Sequence, residues 1–144
     1  MKRISLMLLL VVAAISLKAQ TASKVIYSNA LTHCYVTAIA INDSTVNYCI
    51  SEKSERNIWR FTDREETQSL GLFDKETTIA IFRTAIQLYD DDELEKDIEV
   101  CKNVHLVFVK IMGIKCAQLN NSLVGTSFNI NRKTAEDVLM ILAE

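Results

Sequence analysis

The spacing of apolar residues changes along the chain between the period of two that is typical of strands and the spacing of three and four that is typical of helices. After the N-terminal segment, the most apolar run is VHLVFVKIMGIKCAQL, residues 104–119. β-Branched and aromatic residues dominate this run, which is typical of strands. We predict a hairpin with Met112 and Gly113 as its turn, because glycine takes the positive φ of a tight turn readily. In that register Lys110 faces Lys115, and a longer loop or an exposed position would relieve the repulsion between them.

Strand patterns also occur on both sides of this hairpin. Residues 34–41 and 45–51 flank a polar break at 42–44, which predicts a first hairpin. Residues 120–122 mark a further turn into a strand over 124–130, so the last three strands should form an antiparallel meander.

Two segments have the spacing of three and four residues that is typical of helices lying on a sheet. Asp74 is a suitable N-cap for a helix ending near residue 91, with an apolar stripe of Ile79, Phe82, Ala85, Ile86, Leu88 and Tyr89. Asn131 can cap a second helix over residues 132–143, whose stripe is Ala135, Val138, Leu139 and Leu142. The order predicts an α+β fold, an antiparallel sheet of about five strands (β-β-[short β]-α-β-β-β-α) with two helices on one face.

The first 19 residues have the three zones of a secretory signal peptide. Lys2 and Arg3 precede an apolar run over residues 4–17, and small residues follow near Ala19. We predict cleavage after Ala19, which leaves residues 20–144 as a single exported domain in the periplasm or outside the cell. The apolar run is shorter than the roughly 20 residues that cross a bilayer, so no stable membrane insertion is expected after cleavage.

The charge of the mature chain narrows its range of partners. Cleavage removes three cations and no acid, which takes the net charge from −2 to −5. A negative chain is a poor match for nucleic acid or for an anionic membrane. With no proline and only three glycines, the chain also offers few breakpoints for a second domain and no phosphate-binding glycine loop.

Four cysteines lie in the mature chain, and export brings them into an oxidising compartment. These disulfide candidates allow three complete pairings, among which the sequence does not choose: Cys34, Cys49, Cys101 and Cys116. The first two and the last two are each fifteen residues apart, which is a weak indication of a duplication. The alternative is four buried, reduced thiols that act as small apolar side chains.

The charged segment over residues 51–71 contains the only tryptophan. A short strand is expected near residues 57–62, because long structureless loops are uncommon in compact domains. Aromatic and arginine side chains together are typical of binding hot spots, so we propose as candidate binding residues Arg56, Trp59, Arg60 and Phe61. In the alternative interpretation, Trp59 and Phe61 anchor this segment to the core.

The residues that could support catalysis or bind a metal form no recognisable motif. Clustered acids over residues 90–99 have the oxygen ligands that calcium prefers, but the ligand spacing and the turn glycine of an EF-hand are missing. A solvated acidic helix end or connection is therefore favoured. Leu94 and Ile98 would hold it to the core at helical spacing. His33 and Cys34 are adjacent, so in a strand they would point to opposite faces. Cys34 could instead meet His105, but no local nucleophile signature supports that pair. We therefore predict no metal and no cofactor.

Two hypotheses of function remain. The first is a non-catalytic binding module that meets a protein, peptide or small molecule through the sheet face away from the helices or through the Trp59 segment. The alternative is a small hydrolase that uses carboxylates, or Cys34 with His105. A free strand edge would also allow a homodimer.

Overall fold

The computed structural model describes residues 23–29, 33–56 and 64–144. Within these ranges the order ββββα occurs twice, which confirms the α+β class and the two helices. The strands pair antiparallel with their sequence neighbours in two four-stranded sheets. The first sheet is β1 Ser23–Asn29, β2 Cys34–Ala40, β3 Val46–Arg56 and β4 Arg64–Phe73; the second is β5 Asp97–Cys101, β6 Val104–Ile111, β7 Ile114–Asn121 and β8 Thr126–Ile130. The helices are α1 Lys75–Asp91 and α2 Arg132–Leu142.

The described part of the structure contains eight strands, whereas the sequence predicts about five. The charged segment after the first hairpin is largely β3 and β4, which pair with each other over most of their length. The short strand predicted near 57–62 lies outside the described residues. In the acidic run, DIEVC forms β5, where Ile98 is half-buried and Asp97 and Glu99 are exposed. The helical spacing expected for Leu94 and Ile98 is therefore wrong, since Ile98 lies in a strand.

Both predicted helix caps are confirmed. Asp74 accepts a hydrogen bond from the backbone N–H of Thr77 at 2.7 Å, and Asn131 accepts one from that of Thr134 at 2.7 Å. The fully buried side of α1 differs somewhat from the predicted stripe, because Ile79 is only half-buried. Its buried residues are Thr78, Ile81, Phe82, Ala85 and Leu88. Neither helix in the described part of the chain is long and apolar enough to cross a membrane.

One hydrophobic cluster contains residues from both sheets and both helices. A side chain also connects the sheets at their seam, where the buried Asn121 donates a hydrogen bond from Nδ2 to the carbonyl oxygen of Leu70 at 2.8 Å. Gly71 lies at the same seam, and a Cβ there would stand 3.1 Å from Asn121 Nδ2. The two four-stranded units therefore share a single core.

The predicted central hairpin is confirmed, including its two-residue turn and the Lys110 and Lys115 pair. Met112 and Gly113 have φ values of 51° and 84°, and positive φ at both positions is what a type I′ turn requires. The first predicted hairpin is confirmed as β2 and β3.

The repeated order of elements is consistent with a duplication, but the cysteine spacing is not a trace of one. Cys34 and Cys49 lie in β2 and β3, whereas Cys101 lies in β5 and Cys116 in β7. The second and third strands of the repeat, β6 and β7, thus carry only one of the later cysteines. The equal spacing of fifteen residues has no structural counterpart.

Candidate functional site

The second sheet has one face in the core and one face turned away from it. Along β6 the buried residues are Val104, Leu106 and Phe108, and the ring of Tyr89 from α1 packs against Phe108 with centroids 5.3 Å apart. Successive side chains of a strand point to opposite faces. His105, Val107 and Val109 therefore lie on the face away from the helices, which we call the outer face.

Two cross-strand rows on the outer face consist mostly of polar residues. In the first row each member is directly opposite the next, from β5 to β8: Glu99, His105, Asn120 and Ser127. The second row is Asp97, Val107, Gln118 and Asn129. Neighbouring strands are about 4.8 Å apart, so the rows present carboxylate, imidazole, amide and hydroxyl groups at a fixed spacing.

His105 lies in the first row, between two pockets on the outer face. Its Nδ1 lies 2.8 Å from Asp97 Oδ1, and both side chains are partly open to solvent. A shallow pocket of about 420 Å³ on one side is lined by His105, Asn120, Asn121, Ser122, Gly125 and Ser127. A second pocket of about 440 Å³ is lined by Asp97, Glu99, Asn103, Val104 and His105. The imidazole thus borders both pockets.

The geometry suits hydrogen bonding to a ligand better than nucleophilic catalysis. A carboxylate on Nδ1 fixes the orientation of an imidazole, as general bases require. The hydroxyl in the same row belongs to Ser127, which is two strands from His105. That separation is roughly 10 Å at the usual strand spacing, beyond hydrogen-bond reach.

The predicted alternative of Cys34 acting with His105 does not match the structure. Cys34 is fully buried in the hydrophobic core, while His105 is on the outer face. Burial, and to a lesser extent the charge of Glu52 opposite it, raises the pKa of the Cys34 thiol to about 12. Cys34 is thus held as a neutral thiol, whereas a nucleophilic cysteine must be a thiolate.

All four cysteines are free thiols in the structure. No two of them are opposite each other: Cys34 faces Glu52, Cys49 faces Thr37, Cys101 faces Val104 and Cys116 faces Val109. Burial raises the pKa of Cys101 and of Cys116 as well. None of the disulfide pairings that the sequence allows is therefore formed in this structure.

The candidate binding residues around the tryptophan remain a prediction. Trp59, Arg60 and Phe61 lie outside the described residues, and Arg56 is the last residue of β3, opposite Arg64. The acidic run is divided between two elements and is partly neutralised. Its ion pairs are Asp90 with Arg132, Asp91 with Lys96, and Asp92 with Lys115. Among the residues that the structure describes, no group of three or more His, Cys, Asp or Glu side chains is arranged to hold a metal.

Sequence reasoning singled out His105 but missed its neighbours. The predicted hairpin register places Asn120 opposite His105 only when it is continued one residue past Leu119, whereas the sequence predicts a turn over residues 120–122; β7 in fact extends to Asn121. Asp97 and Glu99 were missed because the run of acids predicts a solvated helix end or connection where the structure has β5. The alternation D-I-E-V was the signal that would have identified a strand there.

No family model, curated protein or solved structure matches this chain, so its function is inferred from the geometry of its own residues.

Proposed function

We propose that the protein is an exported, non-catalytic binding module whose partner contacts the outer face of the second sheet. The observation that carries this proposal is the row of Glu99, His105, Asn120 and Ser127, with a pocket on each side of His105. The helices cover the opposite face, which leaves this row to solvent.

The composition of the outer face supports a polar protein or peptide partner. Amide and hydroxyl groups donate and accept hydrogen bonds without the large desolvation penalty of full charges. The hydrogen bonds of the sheet also hold the strands that carry these side chains in place, so binding costs little conformational entropy. A net charge of −5 in the mature chain is consistent with a partner other than nucleic acid.

Site-specific photocrosslinking tests this proposal. A benzophenone amino acid replaces Gln118, a half-buried residue of the outer face, and in a matched control it replaces Met140, which is 70% exposed on α2. In the envelope and secreted fractions of the producing cell, we expect one discrete product from position 118 and none from position 140. An excess of unlabelled wild-type chain should suppress the product. No competable product at position 118 would overturn the proposal.

Export has its own test, independent of the partner. N-terminal sequencing of the protein recovered from the periplasm or the medium should begin at Gln20. Recovery of the chain with residues 1–19 still attached would contradict the predicted signal peptide.

The carboxylate and imidazole pair favours a second candidate, a small hydrolase with His105 as general base. The supporting observation is the 2.8 Å contact between Asp97 and His105 at the edge of a pocket. Hydrolysis of chromogenic ester, glycoside and peptide substrates by the wild type would support it, provided that His105→Ala lowers the rate by about 10² to 10⁴. A hydrolysis rate equal in wild type and His105→Ala would exclude this role for the pair.

A further inference from the structure

Both methionines that follow residue 19 lie on the surface of the protein. The side chain of Met112, in the turn between β6 and β7, is 97% exposed, and that of Met140, on α2, is 70% exposed. Methionine is more often a buried side chain that fills gaps in a core. The hydrophobic core of the described residues contains no methionine. The two thioethers therefore stand outside the packed interior.

The position of Met112 leaves its sulfur open to reagents in solution. Met112 and Gly113 form a two-residue turn beyond the last paired residues of the hairpin, Ile111 and Ile114. The space beside Gly113 is open. Because almost the whole side chain of Met112 is accessible to solvent, no other part of the described chain shields its sulfur.

The thioether of methionine is a nucleophile that carries no proton, and it reacts with peroxides to give methionine sulfoxide. The sulfur attacks the terminal oxygen of a hydroperoxide, so that the S–O bond forms as the O–O bond breaks. The proton of that oxygen passes to the leaving alkoxide, which departs as an alcohol. Sulfur thereby loses the two electrons that the peroxide gains. Methionine sulfoxide reductases reverse the reaction, with two thiols oxidised to a disulfide and the oxygen released as water.

Three of the four thiols compete poorly for such an oxidant. Burial raises the pKa of Cys34 to about 12, and it also raises the pKa of Cys101 and of Cys116. Peroxides react with the thiolate, and a raised pKa lowers its fraction. The remaining thiol, Cys49, is half-buried, with its Sγ 3.3 Å from the Oγ of Ser69, so its oxidation must be measured separately.

Oxidation of Met112 leaves the packing of the protein unchanged. The sulfoxide is polar, and it disrupts a protein where the methionine is packed in a core or an interface. Met112 has almost no covered surface to lose. The chemical change is therefore confined to the turn.

We propose that Met112 is a site of reversible oxidation, at which a hydroperoxide converts the thioether to the sulfoxide while the protein stays folded. This inference goes beyond the proposed function and does not rest on it, since it needs no partner on the outer face. The predicted export would bring the site into an oxidising compartment.

Oxidation by tert-butyl hydroperoxide, followed by peptide mapping in a mass spectrometer, reports on each methionine and cysteine separately. The rates are compared in the folded protein and in the chain unfolded by urea. We expect Met112 to react in the folded protein within about twofold of its rate in the unfolded chain, since susceptibility follows exposure. Met140 should be slowed more by folding, because it is less exposed. The rate at Met112 should be equal at about pH 6 and pH 8, whereas oxidation of a thiol accelerates with pH.

Met140→Leu is the control variant, because it leaves Met112 as the single methionine after residue 19. Its urea midpoint should be the same before and after oxidation, and a methionine sulfoxide reductase with dithiothreitol should restore the original mass of the peptide that contains Met112. Folding that slows oxidation of Met112 by about tenfold or more would overturn the proposal, because the sulfur would then be shielded. Unfolding of the oxidised variant, or a sulfoxide that the reductase leaves unchanged, would also overturn it.

Discussion

Lys115 Nζ lies 2.6 Å from Asp92 Oδ1, at the point where α1 ends and beside the turn of the β6–β7 hairpin. Lys115 is also directly opposite Lys110, a like-charged pair that would destabilise the hairpin on its own. Asp92 takes the left-handed C-cap position of α1 with φ 49°. The residue that ends the helix therefore also offsets the repulsion within the hairpin.

A double-mutant cycle with Asp92→Asn and Lys115→Gln measures this pair. Asparagine accepts the left-handed conformation, so the first change removes charge without disturbing the cap. Because both side chains are largely exposed, we expect a coupling energy of about 0.2 to 1 kcal/mol in urea denaturation at low salt. The coupling should vanish in 1 M NaCl. A coupling that persists at high salt would mean that the contact is not mainly electrostatic.

Asn121 should be the most sensitive polar side chain at the seam between the sheets. Asn121→Ala leaves the carbonyl oxygen of Leu70 without its side-chain donor in a buried position. We expect a loss of about 1 to 3 kcal/mol in the free energy of unfolding. Asn120→Ala, at the adjacent and half-buried position, should change it by less than about 0.5 kcal/mol. Equal effects of the two substitutions in urea denaturation would show that the hydrogen bond to Leu70 does not stabilise the seam.

Gly71 is required by both conformation and space. Its φ is 140°, and a Cβ would stand 2.6 Å from Cζ of Phe73. We expect Gly71→Ala to reduce stability by about 2 to 4 kcal/mol, from backbone strain and overpacking together. Gly125 has φ 70° but open space around it. Gly125→Ala should therefore lower the free energy of unfolding by only about 1 kcal/mol. A thermal denaturation series that ranks Gly125→Ala below Gly71→Ala in stability would contradict this assignment.

The fold was predictable where periodicity and capping act locally. The caps of both helices and the register of the central hairpin follow from short-range chemistry, and the structure confirms them. The buried side of α1 was less predictable, because Ile79 and Ile81 are equally apolar and only the packing of two sheets decides that Ile81 is buried. The extent of β3 and β4 was missed because their charged residues obscured the strand pattern.

The candidate site was predictable only in part. The first hypothesis included the face away from the helices, but the turn predicted over residues 120–122 left Asn120 outside the strand that pairs with His105. The contact between Asp97 and His105 needs the pairing of β5 with β6, and a strand of five residues with two acids gives only a weak signal for that pairing. The exposure of Ile111 and Ile114 was equally hard to predict, since both resemble core residues in the sequence.

Cys34 makes stability depend on pH in the alkaline range. Its pKa is about 12 in the folded protein against an ordinary 9.0, so the unfolded chain loses this proton first as pH rises. Keeping Cys34 as a buried neutral thiol therefore stabilises the folded state fully below pH 9, and this contribution to the free energy of unfolding is lost progressively towards pH 12. Urea denaturation under reducing conditions measures this effect. Relative to Cys34→Ala, the free energy of unfolding of the wild type should fall by about 1.4 kcal/mol between pH 8 and pH 10. A difference between the two proteins that stays constant with pH would show that Cys34 is not shielded from solvent.

Met112 strains the turn of the central hairpin. Asparagine tolerates positive φ far better than methionine does, and Met112 is almost fully exposed, so its replacement loses no burial. We expect Met112→Asn to raise the free energy of unfolding by about 0.5 to 1 kcal/mol. Leu123→Asn provides the control, because Leu123 is exposed in a turn but does not have positive φ, and its effect should be within about 0.5 kcal/mol of zero. If Met112→Asn is less stable than wild type, Met112 contributes to the fold itself.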